Sequence, residues 1–137
     1  MPVVDASVVV DWVAPDADHA GPAMRALLEL ADRDEPLFAP RLLREEVSNA
    51  LLTGVRRGRW DGEAADRAFA ELRDLPVDLA DTPADVDQAW ELSRRYDEHP
   101  IYGLVYVALA RRLGTSLLTA DRRLVDRIRS PEVRLVE

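Results

Sequence analysis

Short apolar segments alternate with longer amphipathic segments along the whole chain, and this alternation restricts the possible folds more than any other feature. The predicted strands lie at residues 3–4, 37–39, 76–80, 117–119 and 133–136, and the predicted helices at residues 7–13, 20–33, 42–57, 61–75, 82–96, 102–113 and 121–128. The apolar segments have strand length, whereas the longer ones repeat apolar residues at helical spacing. Such alternation predicts an α/β fold in which helices cover both faces of a parallel sheet.

Composition excludes several classes of protein. With 137 residues the chain has the size of one domain, which we take to span residues 1–137. It contains no cysteine, which excludes disulfides, zinc–thiolate sites and thiol nucleophiles. All 18 basic residues are arginine, so Schiff-base chemistry and a phosphate-loop lysine are excluded as well.

The charge balance is acidic but uneven. A net charge of −8 argues against a simple nucleic-acid-binding protein, which is normally basic. Arginines nevertheless recur in pairs along the chain, for example at Arg94 with Arg95 and Arg122 with Arg123. Such pairs are either solvated helix faces or a phosphate-binding rim around an acidic centre.

The first residues do not resemble a secretion signal. Asp5 and Asp11 interrupt the apolar segment, and no basic region precedes it. No apolar run approaches the length of a membrane span. We therefore expect a soluble cytoplasmic protein without a membrane partner.

Two predicted strands end in an aspartate. Asp5 follows the strand at residues 3–4, and Asp121 follows the strand at residues 117–119. Ligands of open parallel sheets bind outside the carboxyl ends of the strands. A lone aspartate at such a place most often caps the next helix, but two of them at one edge repel each other unless a cation or proton lies between them. We therefore predict a divalent-metal site formed by Asp5 and Asp121.

Glu46 is the third candidate acid. On the helix at residues 42–57, the buried face is centred on Val47, and Glu45 points to solvent at 100° per residue. Glu46 lies at the edge of that face, where it is either an ordinary boundary glutamate or a ligand that reaches a crevice. Asn49, one turn further on, is either solvated or hydrogen-bonded to Glu46.

Other polar residues are assigned supporting or solvent-facing roles. Ser7 is placed to cap the short first helix, which ends at Val13, and Ser7 and Thr119 lie beside the two aspartates. We expect Ser7, Asn49 and Thr119 to orient the carboxylates. Asp126 follows Asp121 by five residues, so we expect it on another helix face, in a solvent-exposed ion pair.

Four segments in order along the chain resemble PIN-domain ribonucleases of the VapC toxin type. The matching segments are Val3-Val4-Asp5-Ala6-Ser7, Glu46-Val47-Ser48-Asn49-Ala50-Leu51, Tyr106-Val107-Ala108-Leu109-Ala110 and Leu118-Thr119-Ala120-Asp121-Arg122-Arg123-Leu124. Each segment is a weak signal alone, but their order and spacing are specific, and together they cover essentially the whole chain.

The resemblance implies a specific fold and activity. It implies a single PIN domain with a three-layer α/β/α fold and a central parallel sheet. It also implies a toxin-type endoribonuclease that cleaves RNA phosphodiester bonds with Mg²⁺ or Mn²⁺. Asp5, Glu46 and Asp121 would be the catalytic, metal-binding residues. The expected partners are an RNA substrate, a cognate VapB-type antitoxin and a second copy of the chain in a homodimer.

One position departs from the family pattern. The family carries an aspartate in a Tyr-Asp-x-x-Tyr pattern, whereas this chain has Gly103 between Tyr102 and Leu104. Asp97 and Glu98 lie too far back to replace that acid without a change of register. Three explanations stay open: a detoxifying change, a natural variant that binds antitoxin but barely cleaves, or a water molecule that fills the gap in an active enzyme.

Two other functions compete with a nuclease. A catalytically weak PIN-fold protein would sequester antitoxin or bind RNA without cleavage, and Gly103 favours this alternative. A phosphatase or receiver domain also places acids at strand ends, but such proteins use a lysine near the acids, and this chain has none. RNA cleavage that depends on a divalent metal ion would distinguish the nuclease from the PIN-fold binding protein.

Overall fold

The computed structural model describes all 137 residues. Its elements are β1 (Val3–Val4), α1 (Ala6–Val13), α2 (Pro22–Asp32), β2 (Leu37–Ala39), α3 (Leu42–Arg56), α4 (Gly62–Asp74), β3 (Val77–Leu79), α5 (Pro83–Tyr96), α6 (Tyr102–Leu113), β4 (Leu117–Thr119), α7 (Arg122–Ile128) and β5 (Val133–Leu135). The alternation of strands and helices predicted from the sequence is confirmed. No helix combines the length and the apolar character that crossing a membrane requires.

The five strands form one parallel sheet in the order β3-β2-β1-β4-β5. In the central strand, Val3 is in register with Phe38 of β2 and with Leu117 of β4. The chain moves outward from β1 through β2 and β3 on one side, and through β4 and β5 on the other. The order therefore reverses between β1 and β4, and this is where open α/β sheets bind ligands.

The core contains 28 buried residues and lies around β1, β4 and α6. Every residue of α6 from Leu104 to Ala110 is buried, as the apolar sequence of this helix predicts. On the other elements, α1 packs against α2, α3 and α4, whereas α5 packs against α6. The predicted α/β fold of the PIN type is confirmed by this arrangement.

The first helix begins at Ala6, and its cap lies two residues before the predicted one. Its N-cap is Asp5 rather than Ser7, because the Asp5 carboxylate accepts hydrogen bonds from the backbone N–H groups of Ser7 and Val8. A carboxylate at an N-cap satisfies donors that have no partner within the helix. The strand therefore passes into the helix through Asp5 itself, which fixes this side chain at the sheet edge.

Candidate active site

Asp5, Glu46 and Asp121 line one cavity of about 590 Å³. Asp5 leaves β1 and Asp121 leaves β4, and these strands are direct neighbours at the point where the strand order reverses. Glu46 enters from α3, which follows β2. Three segments that are distant in sequence thus bring their carboxylates to one crevice outside the carboxyl ends of the strands.

The Asp5 carboxylate is buried and accepts four hydrogen bonds. Its Oδ1 accepts from the Ser7 N–H at 3.0 Å, from the Val8 N–H at 3.3 Å and from the Ser7 hydroxyl, while Oδ2 accepts from the Thr119 hydroxyl at 2.5 Å. Burial raises the pKa of Asp5 above its usual value, although the bonds from Ser7, Thr119 and Val8 lower it. Asp5 therefore caps α1 and lines the cavity at the same time.

Two hydroxyl groups connect the ends of β1 and β4. The Ala120 N–H donates to the Ser7 Oγ at 2.9 Å, and the Asp121 N–H donates to the Thr119 Oγ1 at 2.9 Å. The two hydroxyl oxygens lie 3.3 Å apart. Ser7 and Thr119 thus hold Asp5 and, at the same time, the backbone that precedes the Asp121 side chain.

Glu46 is half-buried and is held by a residue that we did not predict. The Tyr106 hydroxyl on α6 donates to the Glu46 Oε1 at 2.8 Å. Burial raises the pKa of Glu46, the bond from Tyr106 lowers it, and the nearby charge of Asp5 raises it. The sequence contained a signal for this contact, because a buried phenol on an otherwise apolar helix requires a hydrogen-bond partner.

The expected role of Asn49 is wrong in this structure. Asn49 is exposed and makes no side-chain hydrogen bond to Glu46, and it does not line the cavity. One turn of helix separates the two residues, but Glu46 points toward α6 while Asn49 faces solvent. Glu45 is also exposed, as predicted.

The Asp121 carboxylate is exposed at the mouth of the cavity. Its Oδ1 accepts from the Arg123 N–H at 3.0 Å and from the Leu124 N–H at 3.3 Å, so it caps α7. No hydrogen bond within the chain involves its Oδ2. Both aspartates are therefore helix caps, and they meet at one edge of the sheet.

More charged residues line the cavity than we predicted. Asp126 lines it and forms no ion pair, so the prediction of an ion pair on another face is wrong. Glu98 also lines it and accepts from the Arg127 Nε at 2.8 Å. One turn of α7 separates Arg123 from Arg127, and both reach the cavity. Sequence spacing did not reveal these contacts because the loop before α6 folds back over α7.

Gly103 lies in the cavity wall in the first turn of α6. A Cβ atom at this position would lie 3.4 Å from the Leu124 Cδ1 and 3.8 Å from its Cδ2, which is ordinary van der Waals contact. A Cβ atom therefore fits here without displacing its neighbours. Nothing in the packing requires a glycine.

The donor atoms of the cavity suit a hard divalent cation. Ions such as Mg²⁺ are bound through carboxylate oxygens and water, and the cavity offers carboxylates from Asp5, Glu46 and Asp121. No group of three or more His, Cys, Asp or Glu side chains is close enough together to hold a metal ion as they stand. The residues fit the ion by their chemistry, and binding requires rotation of the side chains toward one another.

Comparisons with known proteins agree with the fold and the cavity. Residues 3–129 match the PIN domain. The chain is 35% identical to ribonuclease VapC3 of Mycobacterium tuberculosis over 122 residues, which cover 89% of this chain and 83% of that protein. It is 34% identical to ribonuclease VapC1 of the same organism over 139 residues, covering 98% and 96%.

Solved structures share the fold at lower identity. The crystal structure of VapC20 of Mycobacterium tuberculosis, described as a sarcin–ricin loop cleaving toxin, has a TM-score of 0.70 at 23% identity and covers 98% of this chain and 99% of its own. A toxin–antitoxin complex from Klebsiella pneumoniae has a TM-score of 0.65 at 16% identity, covering 100% and 97%. At these identities the likeness shows the fold alone.

The fold and cavity are thus those of a PIN domain. The chain belongs to the PIN-domain family and, within it, to the VapC ribonucleases. Ribonucleases with PIN domains generally use divalent metal ions, and VapC toxins pair with antitoxins.

Proposed function

We propose that this chain is a toxin-type endoribonuclease in which Asp5, Glu46 and Asp121 hold Mg²⁺ or Mn²⁺. The observation that carries the proposal is their position: three remote carboxylates line one cavity at the reversal of strand order. The relatives named as VapC ribonucleases support the reaction class. We further propose that the protein acts on cytoplasmic RNA.

Neighbouring side chains hold the Asp5 and Glu46 carboxylates in a part of the cavity that is partly shielded from water. A divalent ion bound there would activate water and stabilise charge on a phosphodiester. Ser7 and Thr119 hold the Asp5 carboxylate, and Tyr106 holds Glu46. Burial raises the pKa of both Asp5 and Glu46, and the charge of Asp5 raises that of Glu46 further, which supports a cation as the group that would offset them. A positively charged ligand would draw these carboxylates together and offset their charge.

The test is RNA cleavage by variants that remove charge but retain the helix caps. Asparagine caps helices about as well as aspartate, so Asp5→Asn and Asp121→Asn should fold. Asp61→Asn is the matched control, because Asp61 caps α4 through the Ala64 N–H at 2.8 Å and does not line the cavity. The assay compares cleavage of labelled RNA in Mn²⁺, in Mg²⁺ and in EDTA.

We expect the wild type and Asp61→Asn to cleave RNA only with the divalent ion. Asp5→Asn and Asp121→Asn should lose at least about 10–100-fold of the activity, the range seen even for groups that merely support metal ligands. Cleavage that persists in EDTA and in Asp5→Asn would mean a contaminating nuclease and would refute the assignment.

Gly103 favours one second candidate, a PIN-fold protein that binds its partner but barely cleaves. The site has no carboxylate at the position where the family carries one, although a Cβ atom there would make only ordinary van der Waals contact. A wild type that binds RNA or antitoxin but cleaves only after Gly103→Asp would establish this second function.

We also propose two protein partners, a cognate VapB-type antitoxin and a second copy of the chain. An antitoxin arginine fits a cavity lined by several carboxylates, since guanidinium groups pair bidentately with them. On the outer face of α5, Trp90 is 64% exposed and Val86, one turn earlier, is 49% exposed. Light scattering after gel filtration tests for the homodimer. Co-purification with the protein encoded by the adjacent gene tests for the antitoxin.

A further inference from the structure

Tyr102 and Arg123 line the same cavity, from the starts of two neighbouring helices. Tyr102 begins α6, Arg123 lies in the first turn of α7, and both line the cavity. The residues that follow them, Gly103 and Leu124, lie so close that a Cβ on the glycine would touch the leucine side chain at 3.4 Å. The starts of α6 and α7 are therefore adjacent, and each presents one large side chain to the same space.

Arg123 is the cavity's available cation. Arg127, the other arginine in the lining, donates to the Glu98 carboxylate at 2.8 Å and to the Asp97 carbonyl at 2.9 Å. Arg123 is exposed and forms no ion pair and no side-chain hydrogen bond. A phosphate that enters the cavity can therefore pair with this guanidinium without displacing an existing ion pair.

Tyr102 exposes an aromatic ring at the same place. Its side chain is 53% exposed although tyrosine is a large and mostly apolar residue, and it contributes nothing to the core. Its hydroxyl has no hydrogen-bond partner in the chain. An exposed ring beside an unpaired arginine has the composition of single-stranded nucleic-acid sites, where bases stack on aromatic side chains and phosphates contact arginine.

We propose that Tyr102 and Arg123 form a nucleotide subsite, in which Arg123 binds an RNA phosphate and Tyr102 stacks on an adjoining base. This inference rests on the function proposed above, because it names the contacts that place RNA beside Asp5, Glu46 and Asp121. The subsite prefers single-stranded RNA, since a paired base has no free face for the ring.

Fluorescence anisotropy of the full chain with a short labelled single-stranded RNA in Ca²⁺ tests the subsite, with a gel to confirm that the RNA is intact. The variants are Tyr102→Leu and Arg123→Ala. Arg122→Ala is the control for the arginine, because Arg122 is an exposed neighbour on α7 that lines a different cavity. Phe69→Leu controls for the loss of an exposed ring remote from the cavity.

Tyr102→Leu should weaken binding about tenfold, as expected for one base–aromatic stack. Arg123→Ala should weaken binding and lower the slope of log affinity against log salt by about 1. An RNA of the same length with abasic riboses should keep the Arg123 effect and lose the Tyr102 effect. Arg122→Ala and Phe69→Leu should bind like the wild type.

Equal affinity for all four variants, or no RNA binding by the wild type, would overturn the subsite. A Tyr102 effect that persists on abasic RNA would overturn the stacking role. Effects on capture of a basic antitoxin peptide alone, without any on RNA, would assign the surface to that protein and also refute the subsite. If the wild type cleaves RNA and the Tyr102 and Arg123 variants bind RNA as tightly as it does, only the subsite is disproved. If RNA binding depends on Tyr102 and Arg123 but the wild type does not cleave RNA, only the nuclease is disproved.

Discussion

Removal of the Tyr106 hydroxyl should destabilise the protein in a way that depends on the charge of Glu46. The hydroxyl donates to the Glu46 Oε1 at 2.8 Å, and hydrogen bonds to charged groups are worth about 1.5–3 kcal/mol. Because Glu46 also borders an open cavity, water can replace part of the bond, so we expect Tyr106→Phe to cost about 1.5 kcal/mol at neutral pH. At about 4 °C per kcal/mol for a domain of this size, Tm falls by about 6 °C.

The cost should shrink as Glu46 is protonated. Burial and the charge of Asp5 raise the pKa of Glu46, and the bond from Tyr106 lowers it, so Tyr106→Phe raises this pKa further. The extra cost of the variant is therefore present above the raised pKa and falls by about half below it, where only a neutral bond is lost.

Thermal unfolding in EDTA between about pH 4 and pH 8 measures this difference. Tyr102→Phe is the matched control, because its hydroxyl lies on the same helix and has no partner in the chain. The control should match the wild type at every pH. An unchanged Tm for Tyr106→Phe, or an equal loss at both ends of the pH range, would refute a bond to ionised Glu46.

Two further substitutions test the site and the scaffold. Gly103→Asp should raise Mn²⁺ affinity and the RNA cleavage rate at least about tenfold, because it adds a carboxylate to the cavity wall at a position where a Cβ makes only ordinary contact with Leu124. Gly103→Asn, equal in size but uncharged, should not, and equal rates for the two variants would contradict a missing ligand. Arg112→Ala should lower the free energy of unfolding by about 2 kcal/mol at pH 7, because buried Asp85 loses bonds of 2.8 and 3.1 Å. Burial raises the pKa of Asp85, but the hydrogen bonds from Arg112 prevail and hold this pKa below its usual value. The contribution of Arg112 to stability should therefore vanish as the pH falls through that lowered pKa. Urea unfolding at several pH values measures this loss, with the exposed Arg95→Ala variant as control.

The fold and the position of the carboxylates were predictable because local pattern determines both. Strand-length apolar runs between amphipathic helices specify a parallel sheet, and residues that follow such strands must meet at one edge. Asp5 and Asp121 satisfied this rule. Helical periodicity placed Glu46 at the edge of a buried face but left open whether it was an ordinary boundary residue or reached a crevice. The structure places it in the cavity lining.

The contacts between remote elements were not predictable in the same way. Whether Asn49 or Tyr106 would hold Glu46 depended on how α3 packs against α6, which no local pattern specifies. The position of Asp126 in the cavity wall and the pairing of Glu98 with Arg127 depend on the loop before α6 and its packing on α7. Side-chain partners across such an interface are determined by tertiary packing rather than by spacing in the sequence.

Titration of variants at two neighbouring glutamates with Mn²⁺ tests most directly whether the cavity carboxylates bind a divalent cation. Glu46 lines the cavity, whereas Glu45 is exposed to solvent on the same helix. Calorimetric titration should give the same Mn²⁺ affinity for the wild type and Glu45→Gln, and at least about tenfold weaker binding for Glu46→Gln. Equal affinities for the two variants, or no Mn²⁺ binding by the wild type, would contradict the assignment.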